Sequence, residues 1–328
     1  MATTVLSGAV FGAALTAAGV YHPSVILSQL QFTDWHMLQS FLTATATSGV
    51  LVLLARRLGY ISPGPRNFSS VGVFGPFDGN VLGGALLGIG MALSGACPGT
   101  IFSQVALGVK SGWWALYGSI IGGIVYTGYV RPYLAERSLR LAPEKAVKPR
   151  LTIHESLGLS RLTGFILLES LFLGVINFSL LTSPAPRARI HPVFGGLLIG
   201  AGQLVSIVLR KSLVGTSGSF EEAGSWLWRL VRGGGSRTSV TSIVFCAGVA
   251  AGSWVVVKTI PELAGRASPE IAPLSAFAGG VVMIVGSRVA GGCTSGHGIS
   301  GMSLQSISSV ITIVSAFTSG AGVAAILY

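Results

Sequence analysis

Two short runs concentrate the residues that can do chemistry. "SGACPGTIFSQ" (94–104) carries Cys97, and "SRVAGGCTSGHGISG" (287–301) carries Arg288, Cys293 and His297 among glycines and small hydroxyl residues. A thiol is a weak hydrogen-bond donor, arginine is the usual anion partner, and histidine donates, carries protons or braces a loop. Pro98 has no N–H to give, and closely spaced glycines weaken a helix, so both runs should break helical structure. Inside a membrane such a break survives only against protein or a wet cavity. The expected construction is a re-entrant turn that leaves the N–H groups of Gly99, Thr100, Thr294 and Ser295 free, at a following helix N-terminus that attracts anions. The candidate binding residues are therefore Cys97, Cys293, Gly99, Thr100, Thr294, Ser295, Arg288 and His297.

Each candidate has a plainer alternative. Glycines permit close helix packing, and a lone cysteine is commonly a small buried apolar residue. Two cysteines at matching positions, each beside a helix breaker, favour function. Cys246, in "SIVFCAGVAAG", has no counterpart and no polar residue beside it, and reads as packing. Arg288 lies in an apolar segment without an acidic residue, where a charge costs about 2.5–3.5 kcal/mol on insertion scales. Its expected partner is an anion or loop carbonyls, with snorkelling to the interface as the alternative. His297 reads as a brace or gate. Glu169 is the other ionisable group within an apolar run, a candidate to pair with Arg288 or to carry a proton. The three cysteines form no CxxC pair and no zinc spacing, and an odd count argues against a disulfide framework. No metal, cofactor or catalytic residue is expected.

The surrounding chain is that of an all-α polytopic membrane protein. Half of its 328 residues are apolar and 9% are charged, against about 25% in soluble domains, and the mean hydropathy is +0.72. Runs such as 112–130, 162–181 and 309–328 approach the roughly 20 residues that cross a bilayer. The lipid bilayer is thus a partner, and the net charge of +11 reads as positive-inside bias, not as a nucleic-acid surface. With no basic n-region and cleavage site at the N-terminus, the first apolar segment is expected to be retained.

An internal repeat organises the segments. "GGALLGIGMALSGACPGT" (83–100) aligns without gaps to "GGVVMIVGSRVAGGCTSG" (279–296), bringing Cys97 onto Cys293 at an offset of 196. A weaker echo pairs 9–19 with 192–202. The division is a first membrane repeat over 1–130, a basic cytoplasmic linker plus one connecting helix over 131–189, and a second repeat over 190–328. Four apolar segments per half (4–20, 36–55, 79–96 and 112–130; 193–209, 239–257, 275–292 and 306–327) plus 162–182 make about nine crossings. Basic residues gather at Arg56, Arg57 and Arg66, at Arg131 to Arg161, and at Arg229, Arg232 and Arg237. Cytoplasmic placement of all three clusters satisfies parity, leaves loops 21–35 and 258–273 outside, and puts the N-terminus inside. The two repeats are then inverted, a transporter signature, with Cys97 and Cys293 meeting near the midplane.

On "GMALSGACPGT" and "GSRVAGGCTSGHGISG", and through both repeats, the chain resembles the YeeE/YedE (sulphur transport) family. The resemblance implies an hourglass-like protein with re-entrant loops, importing thiosulfate, with paired cysteines, here Cys97 and Cys293, contacting substrate at a central constriction. Bacterial thiosulfate importers of that kind also carry a cysteine near the entrance. "VFGAALTAAGVYHPSV" (10–25) has none, so the relay implied here has two thiols. The thiols are expected to be neutral donors to the soft terminal sulfur, while loop N–H groups and Arg288 take the oxygens. Entry of a dianion against 100 mV is opposed by roughly 4.6 kcal/mol, so uptake requires proton symport, rapid consumption inside or high external substrate. The protein is not expected to be an enzyme. Alternatives are another sulfur or selenium anion, such as selenite or sulfite, or a membrane sulfur-transferase holding a Cys persulfide; a purely structural subunit leaves the paired cysteines unexplained. A plasma membrane location and a sulfur-processing partner at the basic cytoplasmic face complete the expectations.

Overall fold

The computed structural model describes residues 1–141, 149–182, 190–233, 239–264 and 271–328. Arg237 of the third basic cluster, the 142–148 part of the linker, and 265–270 of an expected outside loop lie outside the described residues. The first half holds α1 (Ala2–Ala17), α2 (Pro23–Leu30), α3 (His36–Arg57), α4 (Asp78–Ser94), α5 (Thr100–Ala106) and α6 (Lys110–Val125). Then come α7 (Arg131–Leu141), α8 (Ile153–Leu157) and α9 (Arg161–Thr182). The second half holds α10 (Pro192–Arg210), α11 (Gly218–Arg232), α12 (Thr241–Thr259), α13 (Pro273–Val289) and α14 (Ile307–Leu327). Prolines open α2, α10 and α13, where the missing N–H would be unpaired anyway.

Among the described residues, five helices, α3, α9, α10, α12 and α14, are long and apolar enough to cross a membrane, and α1 and α13 are shorter apolar helices. The chain is a helical, multi-pass membrane protein. Helices also form where the sequence reading placed loops, among them α7 and α8 in the basic linker. α2 lies within 21–35, and α11 occupies most of the basic stretch between α10 and α12. α11 buries Phe220 and Gly224 on one side and carries Glu221, Arg229 and Arg232 elsewhere, an amphipathic pattern that a search for long apolar runs passes over.

Contact between the halves runs through glycine. α4 and α13 pack antiparallel: a β-carbon added at Gly83 would come within 2.7 Å of the Gly286 carbonyl oxygen, and one at Gly90 within 2.5 Å of that of Gly279. These pairs are reciprocal, since Gly279 and Gly286 are the counterparts of Gly83 and Gly90. The flanking contacts repeat the pattern, with Gly84 of α4 against Ser315 of α14 and Gly280 of α13 against Ser119 of α6. Likewise α1 packs on α12 and α10 on α3. Lipid supplies little hydrophobic drive between helices, so backbone-to-backbone approach through small residues holds such pairs together.

Both central helices end alike. Gly95 after α4 and Gly291 after α13 adopt positive φ, 59° and 85°, a conformation that suits glycine. The chain then turns into Cys97 and α5 in the first half, and into Cys293 and a π-helix over Ser295–Gly301 in the second.

Gly88→Ala should be strongly destabilising, because its β-carbon would lie 1.8 Å from the Ala316 carbonyl oxygen. We expect a loss of roughly 1–3 kcal/mol or more, read as a lower melting temperature in detergent. Gly174→Ala on α9, with nothing within 4 Å, should melt like wild type. Equal melting of both variants would refute this packing.

Candidate functional site

The two cysteine turns meet. A single point, the β-position of Gly99, lies 3.8 Å from Cys97 Sγ, 3.9 Å from Ser295 Oγ and 3.6 Å from Thr216 Oγ1. Ser295 Oγ is 3.2 Å from Cys293 Sγ, and Thr216 Oγ1 is 3.5 Å from both. The Thr294 hydroxyl neighbours the Cys97 thiol across the junction. Both thiols are almost completely buried, as are Thr100, Thr294 and Ser295. The site is thus a compact group of thiols and hydroxyls assembled from residues far apart in sequence.

The expected free N–H groups are partly there. Those of Thr294 and Ser295 have no backbone acceptor among the described residues, whereas the Gly99 N–H faces the Cys97 thiol. The N–H of Thr100 is not free: it donates to the Cys97 carbonyl at 3.0 Å, because the first turn closes directly into α5. The Thr100 hydroxyl also accepts from the Cys97 N–H at 2.9 Å. Thr100 therefore shapes the turn.

Arg288 departs from its expected role. Its guanidinium forms an ion pair with Glu221 of α11, donates to Ser217 Oγ at 3.4 Å, and sits 6.0 Å from the centre of the Tyr126 ring. A carboxylate is therefore its partner. The sequence reading missed it because the acid comes from an amphipathic helix in another segment. Nor is that carboxylate Glu169, which lies against Gly49 of α3. His297 is held at both ring nitrogens, 2.9 Å from Ser309 Oγ and 3.1 Å from the Ala290 carbonyl. Since the carbonyl only accepts, Nε2 carries the proton and Nδ1 accepts from Ser309, tying the π-helix to α13 and α14. Cys246 is not without polar neighbours: its thiol points at the Thr216 carbonyl, 3.6 Å away, supporting the turn that presents the Thr216 hydroxyl.

The largest omission of the sequence reading is Arg66, counted there only as a loop charge. Its backbone N–H donates to Ser306 Oγ at 2.8 Å, and its carbonyl accepts from Ser308 Oγ at 3.1 Å. Its side chain passes Gly301 and ends where a β-carbon on Gly296 would lie 3.4 Å from Nη2 and 3.8 Å from Cys293 Sγ. Burial lowers the Arg66 pKa from its usual value, and the facing Cys293 opposes this; arginine still stays cationic. The loop is fixed downstream by Asp78, which accepts from Val71 N at 2.6 Å and Phe74 N at 3.1 Å. Asn80 adds to this, accepting from Ser69 N and donating to the Ala290 carbonyl. A lone Asp and Asn opening the apolar run "GPFDGNVLGG" were the available signal.

The linker also reaches this region. Thr152 bridges to Ser306, Ile153 N donates to the Gln305 carbonyl at 2.9 Å, and Ile307 N to the Leu151 carbonyl at 3.0 Å. The segment before α8 thus straps the end of the second turn.

The profile of the sulphur transport family matches residues 17–323, nearly the whole chain. The chain belongs to this family. It is similar to the thiosulfate transporter TsuA of Spirochaeta thermophila, at 24% identity over 324 residues, covering 94% of this chain and 93% of that one. The TsuA of Escherichia coli is 23% identical over 239 residues, 68% of this chain and 67% of the relative. A probable transporter of Xylella fastidiosa matches 134 residues at 28% identity, 88% of its own length but 40% of this chain. Membership makes the protein a sulphur transporter of the membrane, not an enzyme.

The ion pair generates a prediction. Arg288 and Glu221 side chains are 19% and 23% exposed, and removing one partner of such a pair strands the other, at roughly 3 kcal/mol. Glu221→Gln and Arg288→Gln should each lower the melting temperature, and the double variant should recover much of the loss. A double variant as unstable as the sum of the two would show that the pair is not the link.

Proposed function

We propose that this chain carries thiosulfate, or a sulfur anion of the same shape, inward through a constriction built where the two cysteine turns converge. The observation that carries the reading is that convergence, with Cys97, Cys293, Thr216 and Ser295 grouped around Gly99. Thiosulfate has hard oxygens and one soft sulfur. The N–H groups of Thr294 and Ser295 and the clustered hydroxyls suit the oxygens, and the two thiols suit the sulfur as weak donors. Successive weak contacts suit a path that must release what it binds. The thiosulfate transporters among the relatives support this substrate class.

The proposed architecture is nine crossings in two inverted repeats, N-terminus inside, in the plasma membrane. Reciprocal glycine contacts support the inversion, as an isologous interface requires. Packing directions support the alternation: α4 runs antiparallel to α13, while α1 runs parallel to α12 and α4 to α14. The Xylella relative, matched over about the length of one half, supports a repeat origin. In this arrangement Cys97 follows the outer end of α4 and Cys293 the inner end of α13, so an entering anion meets Cys97 first. His297 braces the second turn, and the strapped linker offers a cytoplasmic face to a sulfur-processing partner.

Uptake of labelled thiosulfate in cells lacking their own importers tests the reading. At matched membrane expression, Cys97→Ala and Cys293→Ala should each lose roughly tenfold or more, and Cys246→Ala should stay within a few-fold of wild type. Undiminished uptake in the first two variants would remove the thiols from the path.

A further inference from the structure

Two guanidinium groups stand near Cys293, and only one has a carboxylate. Arg66 and Arg288 are close enough for each to bear on the other's charge. Glu221 pairs with Arg288 through one carboxylate oxygen and with the more exposed Arg131 through the other, at 3.2 Å. Among the described residues, the Arg66 guanidinium makes no ion pair and no hydrogen bond, although it is partly buried against Gly296 and Gly301. Its backbone is held on both sides by Ser306 and Ser308, and the loop that follows is fastened by Asp78 and Asn80. A cation so firmly placed, with no carboxylate and no hydrogen-bond acceptor at its guanidinium, is costly unless something negative shares the site.

We propose that Arg66 is the charge partner of the transported anion, receiving its oxygens on the inner side of Cys293 while the thiol faces its sulfur. This rests on the transport reading above and adds to it a group that the cysteine turns lack, a full positive charge with five donors in a planar fork. The role expected of Arg288 passes to Arg66 because Arg288 is consumed by packing α13 against α11. On the proposed topology Arg66 enters from the cytoplasmic loop 58–77, so it meets the anion where the inside-negative potential opposes it most. The free edge of the guanidinium faces Gly296, and the absence of a side chain there leaves the approach open.

The test uses the full chain purified and in proteoliposomes, with Arg66→Gln, Arg66→Lys and Arg288→Gln. Two readouts are needed: the KM and maximal rate of labelled thiosulfate uptake, and the rise in melting temperature produced by thiosulfate, sulfite, sulfate or selenite. Arg66→Gln should raise KM roughly 10- to 100-fold, the loss of a hydrogen bond to a charged group. It should also lose the anion-induced rise while keeping the anion-free melting temperature near wild type. Arg66→Lys should fall between, keeping charge but not the fork. Arg288→Gln should instead lower the anion-free melting temperature with a near-normal KM. Wild-type KM and a full anion-induced rise in Arg66→Gln would overturn the inference, as would a wild type stabilised by none of the four anions. A wild type stabilised by sulfite or selenite, with no thiosulfate uptake, would sink the substrate reading while Arg66→Gln still decided this one.

Discussion

The structure depends on how closely two backbones can approach in a medium that does not push helices together. α4 and α13 touch at Gly83, Gly90, Gly279 and Gly286 so tightly that no β-carbon fits on any of the four. Because the contact is antiparallel and reciprocal, it fixes where both helices end relative to one another. Gly95 and Gly291 then turn each chain out of its helix within a few residues of the contact. Cys97 and Cys293 are brought to one place by this pairing, not by any bond between them. The small hydroxyl residues nearby fill the remaining space and supply the polar partners that an irregular backbone in a membrane requires.

Charge is distributed by a different logic. Intramembrane ionic groups are expensive, and each must be paired or used. Glu221 of α11 pairs with Arg288 and with Arg131, and so joins α11 to α13 and to the start of α7. Arg66 arrives from a loop, so its backbone never has to enter a spanning helix, and only its side chain reaches inward. A loop arginine keeps its flexible stem along apolar surface and its head near the polar turn, a cheaper way to bring positive charge to the cysteine turn than another charge within a helix.

Much of this was legible in the sequence, and the rest was not for identifiable reasons. The 83–100 and 279–296 alignment announced the pair of turns because the glycines needed for packing and the cysteines of the turn lie on one continuous element. The membrane class followed from the scarcity of charge. What stayed hidden came from elements that touch only in three dimensions. Glu221 sits on an amphipathic helix without an apolar run, so Arg288 looked unpaired. Arg66 lies in "SPGPRNFSS", where no periodicity says which way a side chain points. Thr216 and Cys246 come from a half-turn and a helix that flank Cys293 without resembling its counterpart. The N–H of Thr100, expected to be free, is taken by the Cys97 carbonyl, because the closing distance of a turn cannot be read from residue types.

The strap formed by Leu151 to Ile153 against Gln305 to Ile307 makes the two cysteine turns unequal. The strand-like edge that completes the second turn is supplied by residues 151–153, and among the described residues the first turn receives nothing equivalent from that stretch. The linker therefore does more than connect the two cysteine turns: it contacts the end of one of them and makes their surroundings unequal.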